Sequence, residues 1–404
     1  MKQTKFRVLL VENIHPVAKS ELEALGYEVD TLSHAPNEDE LIRILPNYTA
    51  IGIRSKTEIT DRVLKACGQE LVSIGCFCIG TNQVDLVSAK NHGIAVFNAP
   101  YSNTRSVAEL VIAEMISLSR QLGDRNMKAH RGEWMKSAEG SREVRGKTLG
   151  IVGYGHIGTQ VSILAEALGL KVMFYDVVKK LPLGNALSAG SLEELLEKSD
   201  FVTLHVPEAP ETMNMMGKRE FSRMKKGSFL INASRGTVVV IDDLVAALKS
   251  GHVAGCAVDV FPSEPASNKE KFLSPLQNLS NVILTPHIGG STEEAQKNIG
   301  YEVSESLRRC LSIGSTLGAV NFPNVELPLK TGTNRILNVH RNEPGVLGEI
   351  NGLISKAGAN IEAQFLSTDD KIGYLVMDVN SHFAHSLALD ISKLSRSIKT
   401  RVVS

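Results

Sequence analysis

Short apolar runs alternate with helical patterns along the first hundred residues of this 404-residue chain. Runs typical of buried strands occur at 6–11, 27–32, 50–53, 71–76 and 94–97. After the first run, a helical pattern carries Leu22 and Leu25 and ends at Gly26. Strands that alternate with helices predict a parallel sheet with helices on both faces. We therefore expect an α/β domain of flavodoxin-like character.

The same rhythm returns in the middle of the chain, after a long apolar helix. That helix follows a break in the pattern at 98–103 and carries Val107, Val111 and Met115 at helical spacing. The apolar runs beyond it predict six strands, at 148–153, 171–175, 201–206, 228–233, 253–259 and 282–285. Six strands connected in this way are typical of a Rossmann domain, which binds a dinucleotide. A further helix, predicted over 292–311, carries the chain back to the first domain.

The last part of the chain predicts a small α+β domain. Prolines and weak periodicity indicate a linker over 321–334. The tail then follows the order strand, helix, strand, strand, helix, strand, which is the ferredoxin-like pattern. We expect a discontinuous first domain at 1–102 and 291–320, a dinucleotide-binding domain at 103–290, and a separate domain at 335–404.

A glycine-rich turn follows the first strand of the middle domain. Gly153, Gly155 and Gly158 fit the Gly-x-Gly-x-x-Gly fingerprint, and a helical pattern begins within it. In this fingerprint the glycines permit a tight turn, the approach of a pyrophosphate and close packing of helix on strand. Asp176 ends the next predicted strand and lies 18 residues after Gly158, near the usual place of the acid that binds ribose hydroxyls. Because that carboxylate repels a 2′-phosphate, NAD is favoured over NADP.

Three polar residues follow later strands of the middle domain. Arg235, Glu264 and His287 each come after a predicted strand end, where ligands of such sheets bind. A histidine suits the base of an alcohol oxidation, a carboxylate orients it, and an arginine binds a substrate carboxylate through two hydrogen bonds. Taken singly, the histidine also fits a loop residue, the arginine a surface ion pair and the glutamate a turn residue.

Composition narrows the class of protein. Lys plus Arg number 44 and Asp plus Glu number 44, and this balance argues against nucleic acid or a membrane surface as the main partner. The five cysteines form no Cys-x-x-Cys pair, so buried thiols in a reducing compartment are expected and no metal site is predicted. We find neither a signal-peptide core nor an apolar stretch of about 18 residues, and we therefore expect a cytoplasmic protein.

Four motifs of the middle domain together resemble one family. They are Gly-Tyr-Gly-His-Ile-Gly at 153–158, Asn-Ala-Ser-Arg-Gly-Thr at 232–237, Asp-Val-Phe-Pro-Ser-Glu-Pro at 259–265 and Thr-Pro-His-Ile-Gly-Gly at 285–290. The chain resembles the D-isomer-specific 2-hydroxyacid dehydrogenases over nearly its whole length. This resemblance implies NAD as cofactor, His287 as acid/base, Glu264 as its partner and Arg235 as the substrate clamp. The implied NAD contacts are Gly153, Gly155, His156, Ile157, Gly158, Asp176, Ala233, Ser234, Arg235, Asp259, His287, Ile288, Gly289 and Gly290.

Further residues are candidates for binding substrate. Arg54 and Ser55 follow the third predicted strand, together with Lys56, and cations there suit a substrate phosphate; a solvated loop is the alternative. Asn103, at the crossover into the middle domain, is another candidate. Two cations, Arg131 and Lys136, flank the single tryptophan, Trp134. The resemblance makes this tryptophan an anchor between subunits, whereas a core aromatic residue is the alternative.

The tail is similar to an ACT domain, which in related enzymes binds L-serine between domains. The matching positions are His340, Asn342 and Asn360. The alternative is a domain that only oligomerises the chain. One departure is that the double glycine usual before this domain is replaced around 330–333, which predicts a stiffer hinge.

The resemblance also implies an activity. Family members with a C-terminal ACT domain suggest NAD-dependent oxidation of 3-phospho-D-glycerate to 3-phosphooxypyruvate, the first step of L-serine biosynthesis. Feedback inhibition by L-serine, reduction of 2-oxoglutarate to 2-hydroxyglutarate and a homotetramer are further expectations. Two alternatives stay open: a dehydrogenase of another 2-hydroxy acid, such as glycerate or lactate, and an NAD-sensing binding protein without catalysis.

Overall fold

The computed structural model describes residues 6–67, 70–265, 269–330, 332–380 and 383–403. Position 331 of the predicted linker and the outermost residues of the first and last predicted domains therefore lie outside the described residues. Contacts divide the chain into two compact units, Met1–Ser102 with Gln296–Ser404, and Asn103–Ala295. Within the described ranges, no helix is both long and apolar enough to span a membrane.

The first unit begins with a five-stranded parallel sheet. Its elements are β1 (Arg7–Leu10), α1 (Pro16–Ala24), β2 (Glu28–Thr31), α2 (Glu38–Ile44), β3 (Ala50–Ile53), α3 (Asp61–Ala66), β4 (Ser73–Cys76), α4 (Leu86–Asn91) and β5 (Ala95–Phe97). The strand order β2-β1-β3-β4-β5 is that of flavodoxin-like folds. Side chains of Asn37, Thr60 and Asp85 accept hydrogen bonds from first-turn N–H groups and so start α2, α3 and α4. The predicted flavodoxin-like sheet is confirmed.

The second unit is a doubly wound parallel sheet. Its elements are α5 (Thr104–Ser119), α6 (Leu122–His130), β6 (Thr148–Val152), α7 (His156–Ala167), β7 (Lys171–Tyr175), β8 (Leu187–Ser188), α8 (Leu192–Lys198), β9 (Phe201–Leu204), α9 (Lys218–Arg223), β10 (Ser228–Asn232), α10 (Ile241–Lys249), β11 (Val253–Val258) and β12 (Val282–Leu284). The strand order is β12-β11-β10-β9-β6-β7-β8. The strand order reverses at β6, because β7 and β8 are added on one side of it and β9 to β12 on the other, and such switch points are where these sheets bind ligands.

The prediction of six strands for this sheet was wrong by one, because the described residues form seven. The additional strand, β8, contains only Leu187 and Ser188 at the edge beyond β7, and both residues are exposed. A hydrophobic pattern needs several residues to be recognisable, so a two-residue exposed strand produces no signal. The other strands are buried by apolar clusters on both faces, as expected for a parallel sheet.

The tail forms an antiparallel sheet covered by two helices. After α11 (Glu293–Ile313) come β13 (Thr333–Arg341), α12 (Val346–Lys356), β14 (Ile361–Thr368), β15 (Ile372–Asn380), α13 (Ala384–Ser392) and β16 (Ser397–Val403). The sheet order β14-β15-β13-β16 is the ferredoxin-like arrangement that the sequence predicts. Within the first unit, residues of this sheet share an apolar core with β1, β5 and α11. Lys90 and Asp369 add an ion pair of 2.7 Å between α4 and the β14–β15 turn.

Candidate active site

A Cβ atom would meet different surroundings at each of the three glycines in the turn after β6. Gly153 has φ +93°, and a Cβ there would lie against the carbonyl oxygen of His205. A Cβ on Gly158 would collide with the carbonyl oxygen of Gly153. A Cβ on Gly155 would instead enter open space at the start of α7. Two glycines therefore allow close packing, whereas the third leaves a cradle of the kind that a pyrophosphate fills.

The start of α7 offers backbone N–H groups beside that cradle. The N-cap residue is Gly155, so no side chain caps the helix there, and His156 is exposed while Ile157 is half-buried. A helix N-terminus is positive and suits phosphate. Asp176 directly follows β7, and its carboxylate accepts hydrogen bonds from Tyr154 N (2.8 Å) and Val178 N (2.9 Å). This acidic side chain therefore lies beside the glycine turn, and the residues present fit a dinucleotide.

A buried asparagine organises the turn after β10. The amide oxygen of Asn232 accepts hydrogen bonds from the N–H (3.1 Å) and the hydroxyl (2.7 Å) of Ser234, and its NH₂ group donates to the Arg235 carbonyl (3.1 Å). Ala233 lies half-buried between them. The half-buried Arg235 also donates from Nη1 to the Ser234 carbonyl at 2.7 Å. Asn232 thus positions three predicted NAD-binding residues.

The turns that carry Arg235 and Glu264 touch through their backbones. Gly236 allows this approach, because a Cβ there would overlap the main chain of Phe261 and Pro262. The Glu264 carboxylate accepts a hydrogen bond from Phe261 N at 3.0 Å. The charge of Arg235 acts on the pKa of both Glu264 and His287. The structure therefore brings the three predicted catalytic residues together.

Glu264 and His287 form a hydrogen-bonded pair. Glu264 Oε2 lies 2.9 Å from His287 Nδ1. Because a carboxylate only accepts, Nδ1 carries the proton, and Nε2 of the neutral ring is left as the proton acceptor. The hydrogen bond that His287 donates to Glu264 raises the pKa of His287 above its usual value, although burial opposes this. Burial also raises the pKa of Glu264, but the hydrogen bonds from His287 and Phe261 outweigh it, and the net shift is downward.

Asp259 holds the turn on which His287 lies. Its carboxylate accepts hydrogen bonds from Thr285 Oγ1 (2.6 Å), Ile288 N (2.8 Å) and Gly289 N (2.9 Å). Its carbonyl oxygen accepts from His287 N at 2.8 Å, and His287 has φ +54°. Asp259 is only 1% exposed. Asp259 is one of the predicted NAD-binding residues, and its contacts within the chain hold the turn that carries His287.

Asn103 lies against the end of the same turn. A Cβ on Gly290 would be 2.6 Å from Asn103 Nδ2. The buried Asn103 Oδ1 has no hydrogen-bond partner among the residues that the structure describes. A buried amide oxygen without a partner is costly in a folded protein, so it suits contact with a bound polar ligand.

Arg54 and Ser55 lie in the other unit, on the loop after β3. Three N–H groups of that loop, on Arg54, Lys56 and Thr57, donate to the carboxylate of Glu12 at 2.9–3.0 Å. Glu12 lies two residues after the end of β1 and is 8% exposed. In the sequence, Glu12 comes after the end of a predicted strand. This signal was available, but Glu12 was not predicted as a site residue. Ser55 and Lys56 are exposed.

The predicted serine-binding residues do not converge within one chain. Asn360 precedes β14, and its N–H donates to Asn380 Oδ1 at one end of the sheet. Asn342 follows β13 and donates to the Asp369 carbonyl at the other end, about 27 Å away for the eight-residue offset along the strands. His340 is 3% exposed, its Nδ1 bonds Asn338 Oδ1 at 2.9 Å, and burial lowers its pKa.

The side chains around the single tryptophan face solvent. Trp134 is 88% exposed, which excludes a core position within one chain. Arg131 and Lys136 are exposed on the same segment, after α6.

Comparisons with known proteins agree with this geometry. Residues 112–289 match the model of the D-isomer specific 2-hydroxyacid dehydrogenase NAD-binding domain, and residues 336–399 match an ACT domain like that of the AHAS small subunit. The chain is 54% identical over 382 residues to the D-3-phosphoglycerate dehydrogenase of Escherichia coli K12, covering 94% of this chain and 93% of the relative. It is 50% identical to that of Dictyostelium discoideum, covering 99% and 97%.

A solved structure agrees as well. The D-lactate dehydrogenase of Aquifex aeolicus, complexed with NAD and lactic acid, superimposes with a TM-score of 0.65 at 29% identity over 75% of this chain and 95% of that one. The protein is an NAD-dependent oxidoreductase that belongs to the D-isomer specific 2-hydroxyacid dehydrogenases and, within them, to the group of the D-3-phosphoglycerate dehydrogenases.

Proposed function

We propose that this enzyme oxidises the C2 hydroxyl of 3-phospho-D-glycerate to the ketone of 3-phosphooxypyruvate, the first step of L-serine biosynthesis. The observation that carries the proposal is the His287–Glu264 hydrogen bond beside Arg235, at the carboxyl edge of the NAD-binding sheet. The relatives' names support the choice of substrate within the family.

Each of these side chains has a separate task in the reaction. Bound NAD⁺ supplies the acceptor for the hydride that leaves C2. His287 Nε2 takes the proton from the hydroxyl group, and the Glu264 carboxylate stabilises the imidazolium that forms. Arg235 binds the substrate carboxylate through its planar guanidinium and so orients C2. In the reverse direction the imidazolium returns the proton to the ketone oxygen.

The cofactor is proposed to bind along the switch point of the second unit. Gly153, Gly155 and Gly158, with the start of α7 at His156 and Ile157, hold the pyrophosphate. Asp176 binds the adenosine ribose, and its charge selects NAD over NADP. The nicotinamide end is bound by the remaining predicted contacts, Ala233, Ser234, Arg235, Asp259, His287, Ile288, Gly289 and Gly290. Support comes from the Gly155 cradle and the converging turns.

We assign the contacts with the rest of the substrate to residues other than His287 and Glu264. Arg54 and Ser55 contact the phosphate, because a cation after a strand end offers both charge and N–H donors. Lys56 adds to this charge, and Arg131 and Lys136 add to it from a neighbouring subunit. Asn103 contacts the substrate through its unpartnered amide oxygen. On this basis residues 1–102 and 291–320 form the substrate-binding domain and 103–290 the NAD domain.

Regulation is assigned to the tail, residues 335–404, which follow the linker at 321–334. We propose that L-serine binds between paired ACT domains, because His340, Asn342 and Asn360 of one chain lie too far apart to hold one amino acid. Pairing of these domains, together with pairing through Trp134, gives a homotetramer.

Reduction of 2-oxoglutarate is a second proposed activity. The buried thiols Cys67, Cys76, Cys256 and Cys310 suit the reducing cytoplasm.

A spectrophotometric assay of NADH formation tests the main reaction. The wild type is expected to turn over 3-phospho-D-glycerate and to be much slower with D-glycerate or D-lactate. His287→Ala is expected to lower kcat by about 10²- to 10⁴-fold while NADH still binds. Near-normal turnover by this variant contradicts the role of His287. Binding of NADH without turnover of any 2-hydroxy acid indicates instead an NAD-sensing protein.

The same assay tests regulation. L-Serine is expected to lower the rate of the wild type and to have little effect on Asn342→Ala, whose uninhibited rate serves as the control. Equal inhibition of both proteins contradicts the assignment of Asn342, and an absence of inhibition in the wild type leaves the tail with an oligomerising role alone.

A further inference from the structure

The apolar helix α5 carries one buried carboxyl group on the face that packs against the sheet of the second unit. Glu114 is 3% exposed, although its neighbours on this face are Val111, Met115 and Leu118. We propose that Glu114 is a positioning residue for the nicotinamide-binding edge: it stays protonated and donates through Thr285 to Asp259, which holds the turn that carries His287. This inference rests on the proposed function, both for the role of His287 and for the binding of NAD at the turn that Asp259 holds.

Distances define a short chain of polar atoms. Glu114 Oε1 lies 3.5 Å from Thr285 Oγ1, which lies 2.6 Å from Asp259 Oδ1. Glu114 Oε2 is buried and has no hydrogen-bond partner among the described residues. The chain therefore runs from α5, through the residue after β12, to the residue after β11.

Counting protons along this chain determines the charge of Glu114. The Thr285 hydroxyl has one proton, and the shorter distance assigns it to Asp259. An ionised Glu114 would then face only the lone pairs of Oγ1. If Glu114 keeps its own proton, it donates to Oγ1 and every oxygen between the two carboxyl groups is satisfied. One hydroxyl group cannot donate to both carboxyl groups, so a further proton is needed between them. Glu114 carries it, because no backbone N–H group of the described residues donates to Glu114.

The surroundings favour the same state. Burial raises the pKa of Glu114 to about 8, and the negative charge of Asp259 acts in the same direction; together they outweigh the lowering effect of the hydrogen bond with Thr285. The other titratable neighbour is Cys256 in β11, whose buried thiol is neutral because its pKa is raised to about 12. Among the described residues, α6, α7, β10 and β12 bring no titratable side chain that acts on Glu114.

Ionisation of Glu114 has a predictable consequence. The Asp259 carboxylate accepts from Ile288 N and Gly289 N, so repulsion between the two carboxylates loosens the turn at 285–289. That turn presents His287 at φ +54°, a backbone conformation that depends on its surroundings. Affinity for NAD should therefore fall as pH rises through the pKa of Glu114.

The test compares three variants with the wild type by NADH fluorescence titration without substrate, from about pH 6 to about pH 9.5. Glu114→Gln is neutral at every pH and keeps a donor, whereas Glu114→Leu has none. Glu109→Gln is the matched control, since Glu109 is exposed on the same helix and pairs with Arg105. Infrared difference spectra of wild type and Glu114→Gln near pH 7 give a second readout, the carbonyl stretch of a protonated carboxyl group.

The wild type and Glu109→Gln should lose affinity for NADH about tenfold, with a midpoint at about pH 8. Glu114→Gln should lack this alkaline loss of affinity, and Glu114→Leu should be about tenfold weaker than Glu114→Gln throughout. The inference is overturned if Glu114→Gln keeps the alkaline loss, if Glu114→Leu binds as tightly as Glu114→Gln, or if the wild type lacks the protonated-carboxyl band. Because no substrate is present, these outcomes are separate from failure to oxidise 3-phospho-D-glycerate.

Discussion

At the scale of single residues, the proposed role of His287 as the base depends on how Glu264 sets its proton affinity. The carboxylate fixes the ring tautomer through Nδ1 and raises the pKa of the ring. In the proposed reaction, oxidation of the alcohol needs a neutral ring, so we expect activity to rise as pH rises through this raised pKa. The raised pKa makes the imidazolium easier to form during the reaction. It also lowers activity at acid pH, where the ring is already protonated.

Replacing the partner separates these two effects. In Glu264→Gln the ring loses the charge that raises its pKa, and the rising limb of kcat/KM with pH is expected to move to lower pH. At the same time kcat is expected to fall by about tenfold or more, because the imidazolium is less stabilised. Steady-state rates across the pH range measure both changes. A limb that stays in place while kcat falls would mean that Glu264 acts on something other than the proton affinity of His287.

At the scale of elements, the β6–α7 turn combines a steric requirement for packing with an opening for ligand. Gly158 and Gly155 lie three residues apart, yet only the first meets backbone when a Cβ is added. The same residue type therefore has a structural role at Gly158 and a proposed binding role at Gly155.

Two alanine substitutions test this distinction. Gly155→Ala is expected to melt at nearly the wild-type temperature but to bind NAD more weakly, because its methyl group enters the pyrophosphate cradle. Gly158→Ala is expected to lower the melting temperature, because its Cβ overlaps the Gly153 carbonyl. Thermal denaturation without cofactor and NADH titration provide the measurements, and an undiminished affinity in Gly155→Ala would contradict the cradle.

At the scale of the whole molecule, a buried ion pair ties the tail to the chain that leads into it. Arg335 and Asp378 are fully buried on neighbouring strands β13 and β15, with Nε–Oδ1 and Nη2–Oδ2 distances of 2.7 and 2.8 Å. The remaining N–H groups of Arg335 donate to the carbonyl of Ile313, the last residue of α11, and to the carbonyls of Leu327 and Pro328 in the linker. All five donors are used, which fixes the path of the linker onto the sheet.

Breaking this pair should weaken the tail selectively. Arg335→Met leaves Asp378 buried without a counter-charge, and the opening free energy of β13 and β15 is expected to fall by about 3–5 kcal/mol. Hydrogen exchange of these strands measures it. The double variant with Asp378→Leu is expected to recover part of the loss. Arg308→Met, which removes an exposed pair with Glu305, is the control and should cost less than about 1 kcal/mol. Equal effects of Arg335→Met and the control would contradict the argument.

The sequence by itself determined the order of the elements and the identity of the chemical groups. Strands and helices follow from hydrophobic period, and Gly155, Arg235, Glu264 and His287 lie at strand ends where a parallel sheet collects its ligands. These features are local, since each depends on a few neighbouring residues. The two-residue strand β8 escaped because it is too short to have a period.

Only the tertiary structure decided which polar groups are buried and what they meet. Glu114 lies within an apolar helix and Arg335 within a strand pattern, and neither periodicity reveals the distant partner, Asp259 or Asp378. The register of the tail separates Asn342 from Asn360, although both match one ligand set in sequence. Burial and hydrogen-bond partnership depend on contacts between residues far apart in the chain, and folding alone brings those residues together.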